Sequence, residues 1–274
     1  MRIFIISLSK KVCDEFHLTF RDTSAIINAL KTSNRSVEIF DAIYSKNSGG
    51  GGLHSLVKEH LHPYFITQNV RSIGIKTDLV SEISKFYYAL KYHAKFMNLG
   101  ELGCYASHYM LWKKCIELNE PICILEDDIS LKEDFNESLD FLEKHIQELG
   151  YVRLMHLLYD PNIRSEPLIN ENQEIQKHIG IINAYSYGVG TQGYVITPKV
   201  AQIFLRHSQK WITPVDTLMD ATFIHRVRNL VLKSFAIADN EQISTIERIE
   251  EPYSPKIALM RHWHYRGLKL WRFL

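Results

Sequence analysis

The stretch Ile122-Cys123-Ile124-Leu125-Glu126-Asp127-Asp128 runs four apolar residues directly into three carboxylates. Asn119-Glu120-Pro121 closes a helical pattern just before it, so the apolar run reads as a strand of a buried sheet. Its acidic end falls where strand ends meet solvent, and three adjacent carboxylates are unfavourable there unless a cation or proton neutralises them. We read Glu126 to Asp128 as a divalent-metal site. Asp128 is the expected direct ligand, with Glu126 or Asp127 contacting a metal-bound water. Alternation along a continuing strand would put Glu126 and Asp128 on one face and Asp127 on the other. A solvated acidic turn is the competing reading of the same residues.

Working outward, Met110, Leu111, Cys115 and Leu118 predict a helix over residues 104–118. Arg2-Ile3-Phe4-Ile5-Ile6-Ser7-Leu8 is almost continuously apolar and predicts a central parallel strand. Helical spacing from about Asp14 to Leu30, then Val37-Glu38-Ile39-Phe40, completes a βαβ unit. Asn47-Ser48 and the four glycines 49–52 lack the Lys of a phosphate loop and read as a flexible connector. Periodicity between residues 53 and 99 is strongest over 80–96. Downstream, helices are expected over 136–149, 198–207 and 216–228, and strands over 152–158, 179–182, 192–196 and 230–238.

The chain has 274 residues, 46% of them hydrophobic, with 32 Lys and Arg against 31 Asp and Glu. That size supports one large core, and a formal charge of +1 gives no case for nucleic-acid binding. Cys13, Cys104, Cys115 and Cys123 lack Cys-x-x-Cys spacing and read as buried thiols. No segment approaches the roughly 20 apolar residues of a membrane span, and the apolar start is too short for a signal peptide. A cytoplasmic protein is expected.

The order and spacing of several short motifs resemble glycosyltransferase family 25, the group that extends lipooligosaccharide in Gram-negative bacteria. They are Ile6-Ser7-Leu8 with Arg21, Phe40-Asp41-Ala42, and Gly100-Glu101-x-Gly103-Cys104-x-x-Ser107-His108 with Leu111-Trp112. Ile124-Leu125-Glu126-Asp127-Asp128, Gly190-Thr191-x-Gly193-Tyr194-x-Ile196 and Pro214-Val215-Asp216 complete the set. The resemblance implies an α/β fold of GT-A type, a nucleotide-diphosphosugar transferase with a mixed central sheet flanked by helices. It also implies Mn²⁺ or Mg²⁺ as cofactor and inverting transfer of a hexose, galactose first, from a UDP-sugar donor to a lipooligosaccharide core acceptor. One departure is Tyr44-Ser45-Lys46 and the glycines, where an Asp-Gly-Arg type sequence is expected.

Under that resemblance, Ser7, Arg21, Gly103, Ser107, His108, Glu126 and Asp127 are expected at the donor, with Gly100 and Gly103 letting backbone approach it closely. Asp128 and Glu126 are the metal carboxylates, and His264, or its neighbour His262, is a further ligand. Asp216 is the expected general base at a helix start, with Glu101 and Asp220 as fallbacks. Neighbouring helix residues face different ways, which argues against a Ser107-His108 nucleophilic pair. We expect residues 1–255 to form the transferase domain. Residues 256–274, basic and aromatic with no acidic residue, form a tail suited to an anionic membrane surface or to a packed terminal helix. Two other functions fit parts of the pattern: a metal-dependent phosphohydrolase, and a carbohydrate-binding module using Trp112, Trp211, Trp263 and Trp271.

Overall fold

A computed structural model describes the chain except residues 32, 50, 158–164, 168–170, 183–188, 241–251 and 272–274. The strands are β1 (Arg2–Ser7), β2 (Val37–Asp41), β3 (Ile122–Glu126), β4 (Ile129–Leu131), β5 (Tyr151–Arg153), β6 (Ser165–Pro167), β7 (Ile179–Ile182), β8 (Gly193–Ile196), β9 (Leu230–Leu232) and β10 (Ile237–Asp239). The helices are α1 (Lys10–Phe16), α2 (Ser24–Leu30), α3 (Ser55–His60), α4 (Gln68–Arg71), α5 (Leu79–Tyr92), α6 (Leu99–Leu118), α7 (Phe135–Leu149), α8 (Gln173–His178), α9 (Pro198–His207), α10 (Val215–Asp220), α11 (Thr222–His225) and α12 (Pro255–Trp271).

Eight strands form one mixed sheet in the order β2-β1-β3-β8-β5-β9-β7-β6. β1 is parallel to both β2 and β3, and β8 is antiparallel to β3 and β5. Strand alternation divides the core. Phe4, Ile6, Ile122 and Ile124 pack on one side with Leu111 and Trp112 of α6 and Phe204 of α9. Ile3, Ile5, Cys123 and Leu125 pack on the other with Ile26 of α2 and Leu139 and Leu142 of α7. This is the mixed α/β sheet flanked by helices that the sequence implied.

Five expected elements differ. The helix expected over 14–30 breaks at His17, whose left-handed φ of 55° ends α1; Arg21 therefore sits in the loop before α2. The helix over 104–118 begins five residues earlier, because Asn98 and Glu101 form a reciprocal cap at 2.9 Å in each direction. The helix over 216–228 divides at Ala221 into α10 and α11, and the last strand divides into β9 and β10. The strand over 152–158 holds only its start as β5, and Leu158 lies outside the described residues. The glycine loop is closed by a Lys46–Leu53 bridge.

The C-terminal tail begins as a docked helix. Ile257 of α12 is buried against Phe65, Ala89 and Ala94, and Arg261 donates to His93 O at 3.1 Å. Side chains beyond His264, including Trp271, Arg272, Phe273 and Leu274, lie outside the described residues. Among the described residues, no helix is long and apolar enough to cross a membrane.

Candidate active site

The C-terminal ends of β1 and β3, the loop after β2, the start of α6 and the start of α10 converge on a cleft of about 490 Å³. Ser7, Arg21, Glu101, Gly103, Ser107, His108, Glu126, Asp127, Asp128 and Asp216 all line it. The topology explains the convergence, since parallel β1 and β3 deliver their ends to the same edge of the sheet.

β3 stops at Glu126, and Asp127 and Asp128 occupy the turn that follows. The expected alternation past Glu126 therefore does not hold. Both aspartates face Arg21, whose Nη1 donates to Asp127 Oδ1 at 2.7 Å and lies 3.2 Å from Asp128 Oδ2. The second oxygen of Asp128, Oδ1, is buried with no hydrogen-bond partner. Burial, reinforced by the charge of Glu126, pushes the Asp128 carboxyl up to about 7 despite Arg21. A buried, unpartnered carboxylate oxygen at an acidic cleft fits a hard divalent cation. Asp128 is the residue that would hold it, with Glu126 beside it.

Glu126 is the most supported of the three acids. Its Oε1 accepts from His108 Nε2 at 3.2 Å and from the Thr191 hydroxyl. Burial opposes its charge, but the His108 and Thr191 bonds and the charge of Arg21 outweigh it and hold the carboxyl below its ordinary range. Behind His108, Nδ1 meets the Tyr194 hydroxyl at 2.8 Å, and that hydroxyl accepts from Trp112 Nε1 at 3.0 Å. Cys104, His108 and Glu126 also bring three ligand atoms within 4.8 Å of one another. Both nitrogens of His108 are engaged there, so the cluster reads as a hydrogen-bonded support.

Ser107 serves the backbone. Its hydroxyl accepts from Ile43 N at 2.9 Å and donates to Gly103 O at 2.9 Å, while His108 turns toward the sheet. Gly103 lets α6 pass against the loop after β2, because a Cβ there would stand 2.7 Å from Ile43 O. Glu101, besides capping α6, has its carboxyl pushed up to about 7 by burial, with the nearby charge of Asp216 adding to the rise. Asp216 lies in the first turn of α10, where Oδ1 accepts from Thr217 N at 2.5 Å.

Several expected residues are placed elsewhere. His264 is not brought to the cleft; its Nδ1 contacts Leu90 O at 2.7 Å and its ring lies beside His93 and Phe223. His262 is exposed on α12. Asp220 is fully buried and bonds Arg153 at 2.7 Å, Asn229 at 2.8 Å and Val189 N at 3.1 Å, a structural lock and not a base. Trp112 and Trp211 are core residues with no exposed surface, so they cannot serve as sugar platforms. All four cysteines are free thiols. The quoted motifs contain Thr191 and Tyr194 with no role attached, and Trp112 only as a sugar platform of the alternative binding module. Arg153 was signalled only by a charge inside an apolar strand.

The chain belongs to glycosyltransferase family 25: the description "Glycosyltransferase family 25 (LPS biosynthesis protein)" matches residues 1–219. It is similar to the lipooligosaccharide biosynthesis protein lic2B of Haemophilus influenzae, 29% identical over 181 residues, which cover 59% of this chain and 64% of that one. It is also similar to procollagen galactosyltransferase 1 of Danio rerio, 26% identical over 226 residues, covering 80% of this chain and 33% of the relative. Procollagen galactosyltransferase 2 of Homo sapiens is 28% identical over 116 residues, covering 42% and 18%. The chain thus spans less than two thirds of the length of lic2B and a third or less of these procollagen enzymes.

Proposed function

We propose that this chain transfers a hexose, galactose first, from a UDP-sugar to a lipooligosaccharide core acceptor at the cytoplasmic face of the membrane, with inversion at the anomeric carbon. The observation that carries the reading is the buried, unpartnered Oδ1 of Asp128 at the acidic end of β3, in the same cleft as Asp216 and Glu101. The names of lic2B and of the procollagen galactosyltransferases support the acceptor class and the galactosyl donor respectively.

Asp128 and Glu126 would hold Mn²⁺ or Mg²⁺, which would supply positive charge for a departing diphosphate. His108 and Thr191 fix the Glu126 carboxylate, and Arg21 balances Asp127 and Asp128 while adding a cation on the phosphate side. In the transfer, the acceptor oxygen bonds the anomeric carbon as the bond from that carbon to phosphate oxygen breaks. UDP leaves with the bonding electrons, and Asp216 takes the acceptor's proton. Glu101 is the alternative base beside it.

The test is UDP release from a panel of UDP-sugars with Mn²⁺, with and without a short core oligosaccharide. Acceptor-stimulated release from one donor is expected. Release that ignores the acceptor makes the protein a phosphohydrolase instead.

A further inference from the structure

Of nine large apolar side chains that stand exposed among the described residues, seven lie on α5 and α12. Leu79, Val80, Ile83, Tyr87 and Leu90 are on α5, and Leu259 and Trp263 are on α12. At 3.6 residues per turn, the five on α5 fall within an arc of about 100°. Leu79 is 76% exposed and Ile83 64%. The opposite side of α5 is already occupied, since Ala89 is buried with Phe65, Ile212 and Ile257. A helix covered on one side and left apolar on the other has a second partner to meet.

Charge indicates which partner. Lys91 and Lys256 stand exposed on the two helices, while Lys85 pairs with Glu82 and stacks over the Tyr64 ring and Arg261 turns inward to His93 O. By sequence the two helices hold six Lys and Arg against one acid, Glu82, so the rest of a chain with formal charge +1 is net acidic. An apolar stripe with basic flanks matches an anionic lipid surface, where side chains sink to the headgroup boundary and ammonium groups meet phosphate. A protein partner of unspecified charge would not require that coincidence.

We propose that the exposed face of α5, flanked by α12, docks this protein on an anionic lipid bilayer. The docking layer is joined to the cleft. Arg261 of α12 bonds His93 O, the Tyr253 hydroxyl accepts from Phe96 N at 3.3 Å, and the chain runs on from there to Asn98 and Glu101 on the cleft wall. A lipid-borne acceptor would be presented from this side; only that consequence rests on the glycosyl-transfer reading.

The experiment is cosedimentation of the full chain with vesicles of equal parts phosphatidylcholine and phosphatidylglycerol, against vesicles of phosphatidylcholine alone. The wild type is expected to bind the anionic vesicles and to release as salt rises. An Ile83→Glu, Leu90→Glu variant is expected to bind about tenfold more weakly or less, with unchanged thermal unfolding and unchanged turnover of a soluble oligosaccharide. Three outcomes overturn the proposal: no preference of the wild type for anionic vesicles, equal binding by the variant, or a solution dimer that the same substitutions dissolve, which makes the face an interface between copies. Vesicle binding in a protein without transferase turnover supports the docking face and sinks the proposed function, so the two fail separately.

Discussion

His108 Nε2 and Glu126 Oε1 lie 3.2 Å apart in the wall of the cleft, and the histidine is itself held from behind by Tyr194 at 2.8 Å. Because an ionised carboxylate only accepts, the proton of that bond sits on Nε2. Trp112, Tyr194 and His108 thus form a buried line ending at Glu126. Tyr194→Phe leaves the Trp112 N–H and His108 Nδ1 without their shared partner. It should cost on the order of 1–3 kcal/mol in urea unfolding and lower kcat by about tenfold or more, with a smaller change in donor KM. A variant with full activity would show that Glu126 needs no orientation.

Arg21 touches both aspartates of the acidic turn. Arg21→Gln removes a positive charge from the place where a cation would bind, and also removes a cation from the phosphate side. Mn²⁺ affinity of the donor-free protein, measured by calorimetry, should therefore rise, while KM for the UDP-sugar rises as well. A parallel loss of both affinities would mean that Arg21 mainly holds the turn together.

Glu101, with its carboxyl near 7, and Asp216 bear on each other electrostatically. The raised group is protonated below that pH and ionised above it, so kcat/KM should fall as pH drops through about 7. Asp216→Asn should reduce kcat about 100-fold or more if Asp216 is the base. Its residual activity should show the acid limb moved modestly to lower pH, because burial still raises the Glu101 carboxyl and only the part added by the Asp216 charge is gone. A limb that stays in place assigns it to a different group.

Gly103→Ala brings a Cβ to 2.7 Å from Ile43 O, a backbone atom that can yield only by moving the loop after β2. We expect a loss of about 1–3 kcal/mol in stability, measured by denaturant unfolding, together with weaker donor binding. Unaltered stability would mean that the loop shifts without resistance.

Local signals carried much of the fold. β1 and β3 were legible because four or more consecutive apolar residues fit strands covered on both faces, and the acidic tip marked the edge of the sheet where the cleft opens. The break at His17 was not, because the apolar spacing continues through Phe20, which turns out to be an exposed side chain. The cap of α6 was written in Asn98-Leu99-Gly100-Glu101, yet Glu101 was weighed only as a base. Arg153 and Asp220 meet across 67 positions of chain, and His264 joins Leu90 across 174, so no local pattern could pair them. The motif residues did gather around one cleft, since several of them end neighbouring strands or begin helices at the same sheet edge.

The most direct measurement is Mn²⁺-dependent UDP release from UDP-galactose with a core oligosaccharide, comparing wild type with Asp128→Asn. The account predicts acceptor-stimulated turnover in the wild type that saturates with Mn²⁺, and a loss of about 100-fold or more in the variant with its unfolding transition intact. Turnover by a folded Asp128→Asn protein at the wild-type rate, with the same Mn²⁺ dependence, would contradict it.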